Sequence, residues 1–279
     1  GGGPLLFVVR MFVLLPVRYA ERGTAMITTR VENHIGYVAM NRAPMNLMDI
    51  PIMEEFMQAH RELAAHDDVW GVICHSTVDG YFSNGLDPAM MLGRDPKGCI
   101  EVFEVLLKMV LEVYAFPKPH ISAIEGHAMA GGAVIAILSD WRFMSRERSR
   151  ISFSEVAVGL TIPKAIINLI ESATGPGPLR EIAMLGSPIK SERACELGLV
   201  DEVFDNGTVL KEAEKYLKRV FELPLASVAN VKATLRAQNI ANLKSREDLE
   251  TLGGFLTAES FVEGLSAVRD KRRPKYKNG

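Results

Sequence analysis

Residues 126–140, GHAMAGGAVIAILSD, constrain the fold more than any other stretch of the chain. Gly131 and Gly132 open an apolar run that carries no polar side chain until Ser139. A residue without a Cβ lets the backbone come close to another element, and a helix apolar on every side belongs in an interior. ISAIE at 121–125 has the apolar, β-branched pattern of a strand. Strand, glycine-rich turn and buried helix therefore follow one another, and Val134 brings no charge to the helix's first turn.

Similar steps recur on both sides. Residues 36–40 (GYVAM) and 69–75 (VWGVICH) read as strands, and 50–65 has helical apolar spacing with Pro51 in its first turn. An amphipathic helix is expected over 101–116, stopped by Pro117 and Pro119. ISFSEV at 151–156 reads as a short strand and 164–172 as a helix. These β-β-α steps indicate an α/β protein without the long alternation of a doubly wound sheet. Beyond about residue 210 the pattern is helical, over 211–223, 225–240, 245–253 and 257–269. The expected organisation is a core over 26–210 and a helical C-terminal subdomain over 211–279. Residues 1–25 carry an apolar run interrupted by Arg10 and ended by Pro16, short of the roughly 20 residues that span a bilayer. They are expected to be an extension, with Met26 as the natural start.

Composition excludes several functions. A net charge of −2 with 24% charged residues offers no basic stripe before the C-terminus, so neither nucleic acid nor a membrane is an expected partner. Three scattered cysteines and no C-x-x-C predict a reducing compartment, cytoplasmic, without disulfides. The six histidines form no H-E-x-x-H or similar ligand pattern, so no metal is expected.

Two glycine turns share a position between a strand and a helix: FSNGLD at 82–87, where Asp87 can cap the next helix, and the turn at Gly131–Gly132. Each alone reads as a simple turn. If the N–H groups of Asn84 and Gly131 converge, they form a hole for a carbonyl oxygen that turns negative during reaction, each donor contributing about 2.7–4 kcal/mol in acyl chemistry.

The order of the segments is more specific. FSNGLD, PKPHISAIEGHAMAGG, FSEVAVGLTIP, GSPIKSERACELGLVDEVF and ESFVEGLSAVRDKRRPKY together resemble the crotonase (enoyl-CoA hydratase/isomerase) superfamily over 26–276. The resemblance implies a spiral of β-β-α turns with a C-terminal helical oligomerisation subdomain, assembled as a homotrimer or homohexamer. It implies an acyl-CoA substrate, with coenzyme A as part of the thioester and no separate cofactor. By position, Asn84 and Gly131 supply the oxyanion-hole amides, Ser83, Gly85 and Leu86 line the acyl-CoA channel, and Lys271 reaches the nucleotide phosphates across a subunit interface. His127 falls outside the catalytic set, and Asp140 reads as a buried structural group.

Hydratases of the superfamily use two glutamates. The resemblance puts one at Glu155, a base with a pKa raised by apolar Phe153, Val156 and Val158, and the other at Val134, which can neither hold water nor move a proton. One carboxylate suffices to shift a double bond, so isomerisation of 3-enoyl-CoA to 2-enoyl-CoA is expected, with Val134 as an apolar wall. Hydration, thioester hydrolysis, decarboxylation and acyl-CoA binding without turnover stay open as alternatives.

Overall fold

The computed structural model describes residues 25–244, 247–270 and 272–277. Strands β1 (Ile27–Glu32) and β2 (Ile35–Met40) pair antiparallel across Asn33 and His34, both at positive φ (51° and 64°), as a two-residue hairpin loop requires. β1 is invisible to apolar periodicity because only Ile27 of its six residues is buried. Helix α1 (Ile50–Ala65) comes next, with Asp49 accepting the Ile52 N–H and Pro51 in the first turn.

From β3 (Gly71–Ser76) the chain repeats one step. β3 leads to β4 (Tyr81–Ser83), α2 (Pro88–Leu92) and α3 (Pro96–Tyr114). β5 (His120–Ile124) leads to β6 (His127–Met129) and α4 (Gly131–Ile137). β7 (Trp141–Ser145) leads to β8 (Arg150–Ser152), a 3-10 turn (Glu155–Val158) and α5 (Lys164–Thr174). A π-helical turn (Arg180–Met184), β9 (Ile189–Lys190), α6 (Ser191–Glu196) and β10 (Glu202–Phe204) complete the core. One sheet has the order β1-β2-β3-β5-β7-β10, parallel from β2 onward, and the other β4-β6-β8-β9. The fold is the α/β spiral of β-β-α turns that the resemblance implies.

After β10 the described chain is helical: α7 (Val209–Val220), α8 (Leu225–Leu243), α9 (Glu247–Leu256) and α10 (Glu259–Arg269). α7 covers one face of the large sheet, packing Val209, Ala213 and Leu217 on Ile35, Tyr37, Ile73, Ile121 and Phe143. Burying side chains such as Val209 and Leu217 contributes roughly 1.5–3 kcal/mol each. The other face meets the main core, which includes Phe56, Phe82, Met109, Phe153 and five residues of α4, Ala133 to Ile137. Among the described residues, no helix is long and apolar enough to cross a membrane.

Two element boundaries differ from expectation in ways that matter for the site. α3 begins at Pro96, because Asp95 caps it by accepting the Gly98 N–H. The strand expected over 151–156 stops at Ser152, whose carbonyl accepts the Ala130 N–H at 2.7 Å. Glu155 therefore opens a 3-10 turn instead of ending a strand. Residues 1–24 and Lys271 lie outside the described residues, and with them the expected extension and the expected phosphate contact.

Candidate active site

α4 starts hard against the end of β4. A Cβ on Gly132 would collide with the Ser83 carbonyl, so only glycine permits this approach. Gly85, at φ 77°, turns the chain toward the same place, and a Cβ there would stand 2.7 Å from the Gly131 nitrogen. A Cβ on Gly131 would in turn lie 3.6 Å from the Leu86 nitrogen. The glycines thus bring the backbones of the two turns side by side.

The donor pair differs from the expected one. The Asn84 N–H donates to the Met45 carbonyl at 3.0 Å, so it is engaged inside the loop. Leu86 occupies the crest of the turn, half-buried: Met48 N–H donates to Gly85 O and Asp87 N–H to Met48 O, a parallel bridge that leaves the Leu86 N–H on the other side. Among the described residues, neither the Leu86 nor the Gly131 N–H has an acceptor. Ala130, just before Gly131, adopts φ 48° and ψ −121°, a region its Cβ disfavours. The 2.7 Å bond from its N–H to Ser152 holds it there.

These turns border a cavity of about 780 Å³ including its open mouth. Asn84, Leu86, Gly131, Val134 and Glu155 all line it. Ser83 and Gly85 do not: the Ser83 hydroxyl donates to Asn46 O (2.8 Å) and accepts the Gly85 N–H (3.2 Å), bracing the loop from within. The remaining wall is mainly apolar, with Phe103 and Leu106 from α3 and Phe261, Leu265 and Val268 from α10. Spacing of four and three along α10 marks these last three as one helical face, but nothing local to the sequence says that this face meets the cavity.

Among the described residues, Glu155 is the one ionisable side chain on that wall. The residue as a whole keeps some exposure, whereas its Oε2 is buried with no hydrogen-bond partner. Burial pushes the carboxyl up from 4.5 to about 7. His127 is held in its neutral form, down to about 4, by burial and by nearby Arg150, and it is not on the wall. Asp140 lies elsewhere, paired with Lys232 (2.8 Å) and Arg236 (2.6 Å). Among the described residues no group of three or more His, Cys, Asp or Glu could hold a metal ion.

A sequence model of the enoyl-CoA hydratase/isomerase family matches residues 30–279. Rat mitochondrial enoyl-CoA delta isomerase 1 is 28% identical over 88% of this chain and 86% of its own. A probable enoyl-CoA hydratase of Mycobacterium tuberculosis is 27% identical over 71% of this chain and 76% of its own. The crystal structure of human mitochondrial delta3-delta2-enoyl-CoA isomerase superimposes with a TM-score of 0.85 at 22% identity, covering 88% of this chain and 98% of that one. At that identity the likeness concerns the fold.

Proposed function

The chain belongs to the enoyl-CoA hydratase/isomerase family, and from that membership we propose that it converts 3-enoyl-CoA thioesters to 2-enoyl-CoA. The thioester oxygen sits between the Leu86 and Gly131 N–H groups, and the acyl chain runs along the apolar wall toward α10. Ionised Glu155 takes a proton from C2, the two N–H groups hold the resulting dienolate oxygen, and the carboxyl returns the proton at C4. The double bond moves from C3–C4 to C2–C3 with no net gain or loss of atoms. Lys271 at the nucleotide phosphates, a trimeric or hexameric assembly and a cytoplasmic setting, consistent with three free cysteines, belong to the same proposal.

The carrying observation is that Glu155 is, among the described residues, the single ionisable group on the cavity wall. Hydration needs a positioned water and a proton route to each face of the double bond, and Val134, 3% exposed, offers neither. The rat relative's name supports isomerisation, and the Mycobacterium relative at similar identity keeps hydration as the second reading. Product analysis separates them. Glu155→Gln is expected to lower turnover of 3-enoyl-CoA by about 10²-fold or more, and Val134→Glu to introduce hydration of 2-enoyl-CoA. Efficient hydration by the native protein would overturn the isomerase reading.

A further inference from the structure

The Glu155 carboxyl has a buried oxygen with no partner among the described residues, so no hydrogen bond from them to that oxygen helps to aim it. Its direction depends on the backbone of the 3-10 turn beneath it, and such short turns have poor intrinsic hydrogen-bond geometry. Two contacts from the C-terminus bear on that turn. Gly264, in the middle of α10, packs so tightly on Val158 that a Cβ would collide with its carbonyl group. Farther on, the Tyr276 hydroxyl donates to the Ala157 carbonyl at 2.7 Å. The tail carrying Tyr276 is folded back on α10 by Glu263, which accepts from Arg272 (2.5 and 2.8 Å) and from the Lys275 N–H (2.6 Å).

We propose that Gly264 and Tyr276, with Glu263 as the tail's anchor, are positioning residues for Glu155: the C-terminal helix and tail hold the base through the backbone of its turn. The proposal rests on the reading of Glu155 as the base. The charged groups here are otherwise occupied, since Glu263 pairs with Arg272, Arg269 with Asp270 and Glu259 with Lys277. Among the described residues none acts on the carboxyl, whose upward shift comes from burial and is opposed only by the N–H of Glu155 itself. The effect of the tail is therefore on geometry and water access. α10 also presents Phe261, Leu265 and Val268 to the cavity, so one helix both lines the acyl site and bears on the turn that carries the base.

The experiment compares the full-length native protein with Tyr276→Phe, Glu263→Ala, their double variant, Gly264→Ala, and Lys277→Ala as a control. Steady-state kinetics on 3-enoyl-CoA are combined with infrared titration of the carboxyl band that Glu155→Gln removes. Tyr276→Phe is expected to lower kcat about three- to tenfold, what one hydrogen bond contributes to a rate, with KM within about twofold. The carboxyl band should titrate at lower pH as water reaches the loosened turn. Glu263→Ala should reproduce both effects, and the double variant should lose little more, because the two act through one contact. Gly264→Ala should shift the band in the same direction, and Lys277→Ala should leave both readouts unchanged. A carboxyl band that titrates as in the native protein in both folded Tyr276→Phe and folded Gly264→Ala would overturn the proposal. If Glu155→Gln retains turnover, the base assignment fails, while the band still decides whether the tail positions this carboxyl.

Discussion

At the scale of single residues, the chemistry depends on which backbone N–H groups are free. FSNGLD gives no local sign that the Asn84 N–H is taken by Met45, thirty-nine positions away, while the Leu86 N–H has no acceptor among the described residues. Replacing single amides by esters tests the distinction, because it removes an N–H and keeps the side chain. An ester at Leu86 is expected to lower kcat by about 10²–10³-fold, and one at Asn84 to affect stability more than turnover. Equal kinetic losses would return the Asn84 N–H to the donor pair. Glu155 has a second signature. Its folded pKa of about 7 lies above its ordinary 4.5, so between those values the folded protein binds more protons than the unfolded chain. The stability this carboxyl contributes is complete below about pH 4.5 and is lost as pH rises through about 7. Glu155→Gln should therefore gain thermal stability over the native protein as pH goes from about 5 to about 8. Native kcat/KM should rise over the same range as the base ionises. A stability difference independent of pH would mean that the carboxyl is solvated.

At the scale of elements, apolar periodicity was readable where elements are long and one-sided, as in α1, which starts at the expected residue 50. α8 also starts where expected, at 225, but it turns Lys232, Arg236 and Asn239 inward and leaves Val231 and Leu235 exposed. Elements that are short or exposed were less readable: β9 has two residues, β1 is almost wholly exposed, and the strand before Glu155 ends at Ser152, ahead of the 3-10 turn. Asp140 shows how elements distant in sequence are tied. It accepts the His120 N–H and pairs with Lys232 and Arg236 of α8, whose guanidinium also donates to the carbonyls of Tyr114 and Leu138. Both cations are largely buried, with side-chain exposures of 8%. Asp140→Asn would leave two buried charges without a counter-charge, at a cost of about 3–5 kcal/mol. Urea denaturation should read this loss, and a change below about 1 kcal/mol would mean that water screens the cluster.

At the scale of the whole molecule, large apolar side chains stand exposed among the described residues. Val231 and Leu235 lie one turn apart on α8 at 58% and 74% exposure, and Met184 and Leu185 are similarly exposed. The proposed trimer or hexamer would cover such groups. Light scattering is expected to give three or six times the mass of one chain, and Leu235→Glu to lower it. A native protein that runs as a single chain would remove the assembly from the proposal.

The sequence by itself determined the β-β-α order, the family and the cavity-lining Glu155 and Val134, because each is carried by local pattern or by segments in a fixed order along the chain. Tertiary structure alone decided which amides are free among the described residues, that Ser83 braces the loop instead of facing the cavity, and that α10 closes one wall of the cavity. The physical reason is the same in each case. A hydrogen bond from the Asn84 N–H to Met45, or a contact from Gly264 to Val158, joins residues far apart in sequence. No spacing between neighbours encodes it, and only packing determines whether a donor near the cavity remains free.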